Sequence, residues 1–146
     1  MRTVEQLVES RYDKSLGNHR VYFVNGDTER HFVYFSTTIC KVDDTKLQFT
    51  VANGGYYTSS TKRAISAYRR EFYSLGYTEI VELTVTKQKR NGTFEAEDQI
   101  GSTWFLDPNQ FPDRPLEKGL KVVAHVVDGD IEEIRFIVHD IKEVQA

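Results

Sequence analysis

The stretch 53–76, NGGYYTSSTKRAISAYRREFYSLG, constrains this chain more than any other. Gly54 and Gly55 can adopt positive φ, so the chain can turn sharply out of a strand there. Ser59, Ser60 and Thr61 follow, and the side chains of such residues accept hydrogen bonds from the free amides of a helix start. The N-cap is expected at Ser59 or Ser60. Ile65, Tyr68, Phe72 and Leu75 then recur at spacings of three, four and three, which sets them on one face of a helix over 60–75. Lys62, Arg63, Ser66, Arg69 and Arg70 occupy the remaining arc, and Gly76 is suited to a left-handed stop. Lys62 and Arg63 lie where the helix dipole disfavours cations, which hints that they face something negative. An ordinary solvated face is the simpler account of them.

Upstream, the chain reads as a sheet that receives this helix. Residues 3–10 suit a short helix, with Val4, Leu7 and Val8 as its stripe and Thr3 as its cap. The runs 20–24, 29–35, 37–42 and 46–52 read as four antiparallel strands. Asn25-Gly26 and Asp43-Asp44 supply the hairpin turns. In the fourth strand, Leu47, Phe49 and Val51 should face the dry side. Both faces of the first pair carry aromatics: Tyr22, Phe32 and Tyr34 on one, Phe23 and Phe35 on the other. Either both faces are covered, or aromatic surface stays exposed.

Gly54, Gly55, Tyr56, Thr58, Thr61, Lys62, Arg63 and Ile65 together form a GG-aromatic-x-Thr/Ser-x-x-Thr-Lys/Arg block followed by a helix with an early isoleucine. Through them, residues 31–75, about a third of the chain, resemble a family of small, mostly uncharacterised phage proteins. The resemblance implies phage or prophage origin, a host-cell setting and no catalytic residue. It does not reach the second half.

That second half is strand and turn. Strands are expected at 78–87, 93–97, 103–106, 120–127 and 131–139, with Asn91-Gly92 and Asp128-Gly129 as turns. In the first of these, Ile80, Glu82, Thr84 and Thr86 share one face and Val81, Leu83 and Val85 the other. The loop 107–119 holds all three prolines. Five strands with regular turns suit a wrapped sheet or a small OB-like barrel, with Trp104 in its core or lining. The expected class is therefore α+β: a four-strand antiparallel meander packed by a helix over 1–77, then a mostly antiparallel β half over 78–146. The two halves have either separate cores or one.

Composition narrows the function classes. No apolar run approaches the ~18–20 residues that cross a bilayer. The opening MRTVEQLVESRYDK lacks the apolar core of a signal peptide. Cys40 is the single cysteine, which excludes an internal disulfide framework. A cytoplasmic setting in the host cell follows as the expectation. Residues 1–77 carry 11 Lys/Arg against 8 Asp/Glu and residues 78–146 carry 8 against 14, so the halves differ in sign. Such asymmetry suits nucleic acid at the basic end, or an acidic face that docks on a basic protein groove.

Catalytic chemistry finds little footing. His19, His31, His125 and His139 show no metal-ligand spacing. Asp128, Asp130, Glu132 and Glu133 fit a solvated hairpin tip, since alternation sends Glu132 and Glu133 to opposite faces. Ser59, Ser60 and Thr61 have no base beside them in sequence and sit in no nucleophile elbow. The Gly-Gly turn before a helix resembles an anion-binding end, although the phosphate-loop pattern is incomplete. No catalytic residue, metal or cofactor is expected. Two functions remain. One is a non-enzymatic protein that contacts nucleic acid through Lys62, Arg63, Arg69, Arg70 and Tyr73, with nearby aromatics for stacking. The other is an inhibitor of a host defence complex or nuclease, of the anti-CRISPR kind, acting through the acidic half. The partner is thus nucleic acid or a host nucleic-acid-processing protein, and no membrane.

Overall fold

The structure is a computed structural model that describes residues 2–112 and 115–136. The fold is α+β, and the described residues form two α-helices and ten strands that are mostly antiparallel. It divides into two compact units: the first runs to Glu79 and takes in the tip Val127–Gly129, and the second begins at Ile80.

In the first unit, helix α1 (Arg2–Glu9) precedes strands β1 (Lys14–Leu16), β2 (His19–Val24), β3 (Glu29–Tyr34), β4 (Thr37–Asp43) and β5 (Gln48–Val51). Each strand pairs antiparallel with the next. The meander therefore has five strands, one more than the sequence suggested. The extra one is β1, whose three residues, KSL, are too short to show alternation. Helix α2 (Ser59–Ser74) then leads to β6 (Thr78–Gln88). The first residues of β6 pair parallel to β5, with Gln48 opposite Thr78 and Phe49 opposite Glu79. Parallel neighbours need a crossover, and α2 supplies it.

The helix packs as its spacing predicts. Ile65, Tyr68 and Phe72 are buried, together with Ala64 and Ala67. Phe32 of β3 lies 4.8 Å from the Tyr68 ring and 5.6 Å from that of Phe72, and Phe49 of β5 lies 5.4 Å from Phe72. Burying each such ring stabilises the fold by about 1.5–3 kcal/mol. Leu75 departs from the expected stripe and is 56% exposed. The helix ends before it, and Leu75 is the C-cap. Gly76 follows at φ +83, its N–H bonded to the Tyr73 carbonyl and that of Tyr77 to the Phe72 carbonyl. This is a Schellman stop, and Tyr77 makes its hydrophobic contact, 5.1 Å from the Phe72 ring. Leu47 is likewise exposed, with φ 55. It ends the turn before β5, and its carbonyl accepts the Thr78 N–H at 2.9 Å.

Two charges lie on the helix-facing side of the sheet. The registers Arg30–Val42, Val42–Phe49 and Phe49–Glu79 make one row across β3, β4, β5 and β6. Arg30 stands at one end and Glu79 at the other, both buried. The Arg30 guanidinium donates from Nε and Nη2 to the two Asp44 oxygens at 2.8 Å each, and from Nη1 to the Val8 carbonyl at 2.6 Å. It thereby satisfies a last-turn carbonyl of α1. The Tyr77 hydroxyl also donates to Asp44, at 2.7 Å.

In the second unit, β6 continues with Val81, Leu83 and Val85 buried, as alternation predicts. It pairs antiparallel with β7 (Phe94–Glu97), which pairs antiparallel with β8 (Thr103–Leu106). β9 (Lys121–Val127) pairs with β6 and with β10 (Asp130–Phe136). The OB-like barrel does not form. Closure needs a pairing that joins the two ends of the strand order, and among the described residues β8 pairs only with β7 and β10 only with β9. Trp104 is half-buried rather than central, and its indole N–H donates to Asp98 at 2.9 Å. The buried Asp98 also accepts the Ile100 and Ser102 amides, which fixes the β7–β8 turn. Asp128 (φ 53) and Gly129 (φ 84) make the expected two-residue turn. His139 and the last expected strand residues lie outside the described residues.

His19 is buried beside the Tyr34 ring, 4.6 Å away, with the Tyr68 hydroxyl 3.4 Å from Nδ1. Burial pulls its imidazole below the usual range. The unfolded chain therefore takes up the proton first as pH falls, and stability drops from about pH 6.5 downward through the folded value. We expect the loss in Tm between about pH 7 and about pH 5.5 to be smaller in His19→Gln than in the wild type, as measured by thermal unfolding.

Candidate functional site

The N-terminal end of α2 is assembled by the loop after β5. Gly54 has φ +60, and a Cβ built there would lie 2.6 Å from the Thr37 methyl, so a larger residue is strained and must push Thr37 aside. Asn53 is buried and its amide oxygen accepts the Gly55 N–H at 2.9 Å. The N-cap is Thr58, in place of the serines expected from the sequence. It is extended, at φ -72 and ψ 155, while Ser59 and Ser60 are already helical. Its hydroxyl oxygen accepts the Thr61 N–H at 3.3 Å, and Thr58 Oγ1 donates to Thr61 Oγ1 at 2.9 Å. The first helical carbonyl bond runs from the Lys62 N–H to Thr58. The amides of Ser59 and Ser60 have no intrahelical partner, as the geometry of a helix start dictates.

A cleft of about 260 Å³ opens beside this end. Its walls include Phe35, Thr37, Asn53, Tyr56, Ser60 and Thr61. Among the described residues no carboxylate or imidazole lines it, and no acid lies in the first turn of α2. Phe35 is 59% exposed and Tyr56 57%. Phe35 occupies the β3–β4 turn with φ 55, a conformation that costs a bulky residue roughly 1–2 kcal/mol. Its N–H donates to Asn18 at 2.8 Å, and its carbonyl accepts from Arg20 at 3.3 Å. These bonds hold the ring out at the tip.

The five residues singled out in the sequence separate into two groups. Lys62, Arg63 and Arg70 are exposed, and none makes an ion pair among the described residues. Arg63 and Arg70 stand seven residues apart, so they share a face about 10 Å apart along the axis. Arg69 and Tyr73 turn inward instead. Arg69 Nε lies 3.1 and 3.0 Å from the two Glu79 oxygens, its Nη2 donates at 2.9 Å, and the Tyr73 hydroxyl donates to the same carboxylate. Glu79 is fully buried, and these donors compensate its charge. The inward turn was readable: period-two alternation in TEIVELTV places Glu79 on the dry side with Val81 and Leu83. A buried acid in that position demands a cation from the helix above.

Cys40 lies on the same buried face. Burial pushes its thiol far up, the Glu79 charge adds to the shift, and Arg30 and Arg69 partly oppose it. The protonated thiol acts as a small core group. Ser60 and Thr61 spend their hydroxyls on the Thr58 cap.

Arg69→Met should destabilise the fold by about 3–5 kcal/mol at neutral pH, because it orphans a buried carboxylate. The penalty should shrink as pH is lowered, since a proton removes the buried charge. Adding Glu79→Leu should recover most of the loss. Urea unfolding of the single and double variants measures both effects. Comparison of the chain with family models, with curated proteins and with solved structures finds no match.

Proposed function

We propose that the protein is a non-enzymatic binding protein that takes up single-stranded nucleic acid along the outer face of α2. The observation that carries this reading is the segregation of cations on that helix. Arg69 is consumed by Glu79, whereas Lys62, Arg63 and Arg70 reach solvent. Cations without an ion-pair partner among the described residues, on a helix that also lacks a first-turn acid, suit an anionic ligand. Exposed aromatics adjoin the same end: Phe35, Tyr56 and Tyr57. Base stacking on such rings contributes about 1–3 kcal/mol per base and tolerates any sequence. Together they favour strands whose bases are already unpaired.

Three phosphate contacts give a salt slope, d log K/d log[salt], of about −2 for a single strand. Mobility shifts or fluorescence anisotropy across a salt series should show it. Lys62→Ala, Arg63→Ala and Arg70→Ala should each weaken binding and flatten the slope. Absence of binding to any single-stranded DNA or RNA at low salt removes the proposal.

A further inference from the structure

The cleft at the start of α2 has a composition that the outer cationic face does not explain. Asn53 is 7% exposed and lines it. Its amide oxygen is engaged by Gly55, which fixes the orientation of the group and leaves Nδ2 as a buried donor with no partner among the described residues. Buried donors are almost always satisfied, so an orphan on a cleft wall marks a place for an acceptor. The amides of Ser59 and Ser60 open at the same helix end. Donors meet there with no carboxylate among the described lining residues, in the field of a helix N-terminus, and that environment suits an anion. The lining also includes the rings of Phe35 and Tyr56, both largely exposed and so open to a flat group. The volume, about 260 Å³, is just below the roughly 300–1,000 Å³ of enclosed small-molecule sites. It suits one compact unit held partly open to solvent.

We propose that this cleft binds a single nucleoside 5′-monophosphate unit, free or at the end of a strand. The phosphate sits on the Ser59 and Ser60 amides with Asn53 Nδ2, and the base lies against Phe35 and Tyr56. The inference rests on the nucleic-acid reading above for its ligand class and adds a terminus-specific subsite to it. The subsite also gives a use to the strained Phe35. Glycine would hold that turn more comfortably, but it would remove the ring.

The test compares one single-stranded oligonucleotide bearing a 5′-phosphate with the same strand bearing a 5′-hydroxyl, by fluorescence anisotropy on the full chain. Amide chemical-shift titration with free adenosine 5′-monophosphate and with inorganic phosphate runs alongside. The 5′-phosphorylated strand should bind about tenfold tighter, the ratio expected of one charge-assisted contact. Two variants separate binding from folding. Ser60→Asp places a negative charge in the first turn, which should keep or raise the Tm while abolishing the phosphate preference. Phe35→Gly should raise the Tm yet weaken binding of either form of the nucleotide. Equal affinity for the two strands, with no shifts from the free monophosphate, overturns the subsite and leaves binding along α2 intact. Shifts at Ser59 and Ser60 from the free monophosphate without strand binding support the subsite, make the free nucleotide its source and overturn the strand reading. No response to any of these probes overturns both.

Discussion

The Glu79 carboxylate, buried at the start of β6, is the constraint around which the first unit is arranged. A charge without water must find donors, and one helix supplies the Arg69 guanidinium and the Tyr73 hydroxyl. That requirement sets the rotation of α2 about its axis. Once Arg69 and Tyr73 point down, Ile65, Tyr68 and Phe72 meet the sheet, and Arg63 and Arg70 necessarily point away. The polar contact and the aromatic packing therefore specify the same orientation. Neither alone fixes the helix as tightly, since an apolar stripe tolerates sliding and a single ion pair tolerates tilting.

Arg30 plays the complementary part at the other end of the same row. Its fork matches Asp44 with two parallel hydrogen bonds, and the remaining nitrogen reaches the end of α1. The guanidinium also lies over the Phe32 and Phe72 rings, 5.5 and 5.4 Å from their centroids. A desolvated cation is thus held by a carboxylate, a carbonyl and two π-faces. Opposite charges at the two ends of one buried row leave its middle, Val42 and Phe49, entirely apolar.

Much of this was legible in the sequence. The helix face, its glycine stop, the hairpin turns at Asn25-Gly26 and Asp128-Gly129 and the alternation of β6 all follow from local periodicity, and local periodicity survives folding. The N-cap was misassigned because Thr58, Ser59, Ser60 and Thr61 are interchangeable as acceptors. Only the backbone angle at Thr58 decides among them. The parallel pairing of β5 and β6 was missed because it involves two residue pairs, too few to leave a pattern. Arg69 reads as a surface cation in the sequence because charge alone does not say which way a side chain turns. The answer lay ten residues further on, at Glu79. Phe35 and Asn53, which give the cleft its character, carry no local signal: a tip phenylalanine and a loop asparagine look ordinary until the turn and the burial are seen.

The two ends of α2 are fastened very unequally. Its C-terminal portion is tied down by the Schellman stop, by Arg69 and Tyr73 on Glu79, and by Tyr77, whose hydroxyl reaches Asp44 and through it Arg30 and α1. Its opening portion is held by a threonine cap, by the close fit of Gly54 against Thr37 and by the buried side chains of Thr61, Ala64 and Ile65. The rod is therefore anchored by polar ties where it leaves for β6 and mainly by packing and a single cap where it begins. Amide exchange should be slow along the tied half and fastest over the opening turn, whose first amides lack intrahelical partners, so a ligand seated there would slow it.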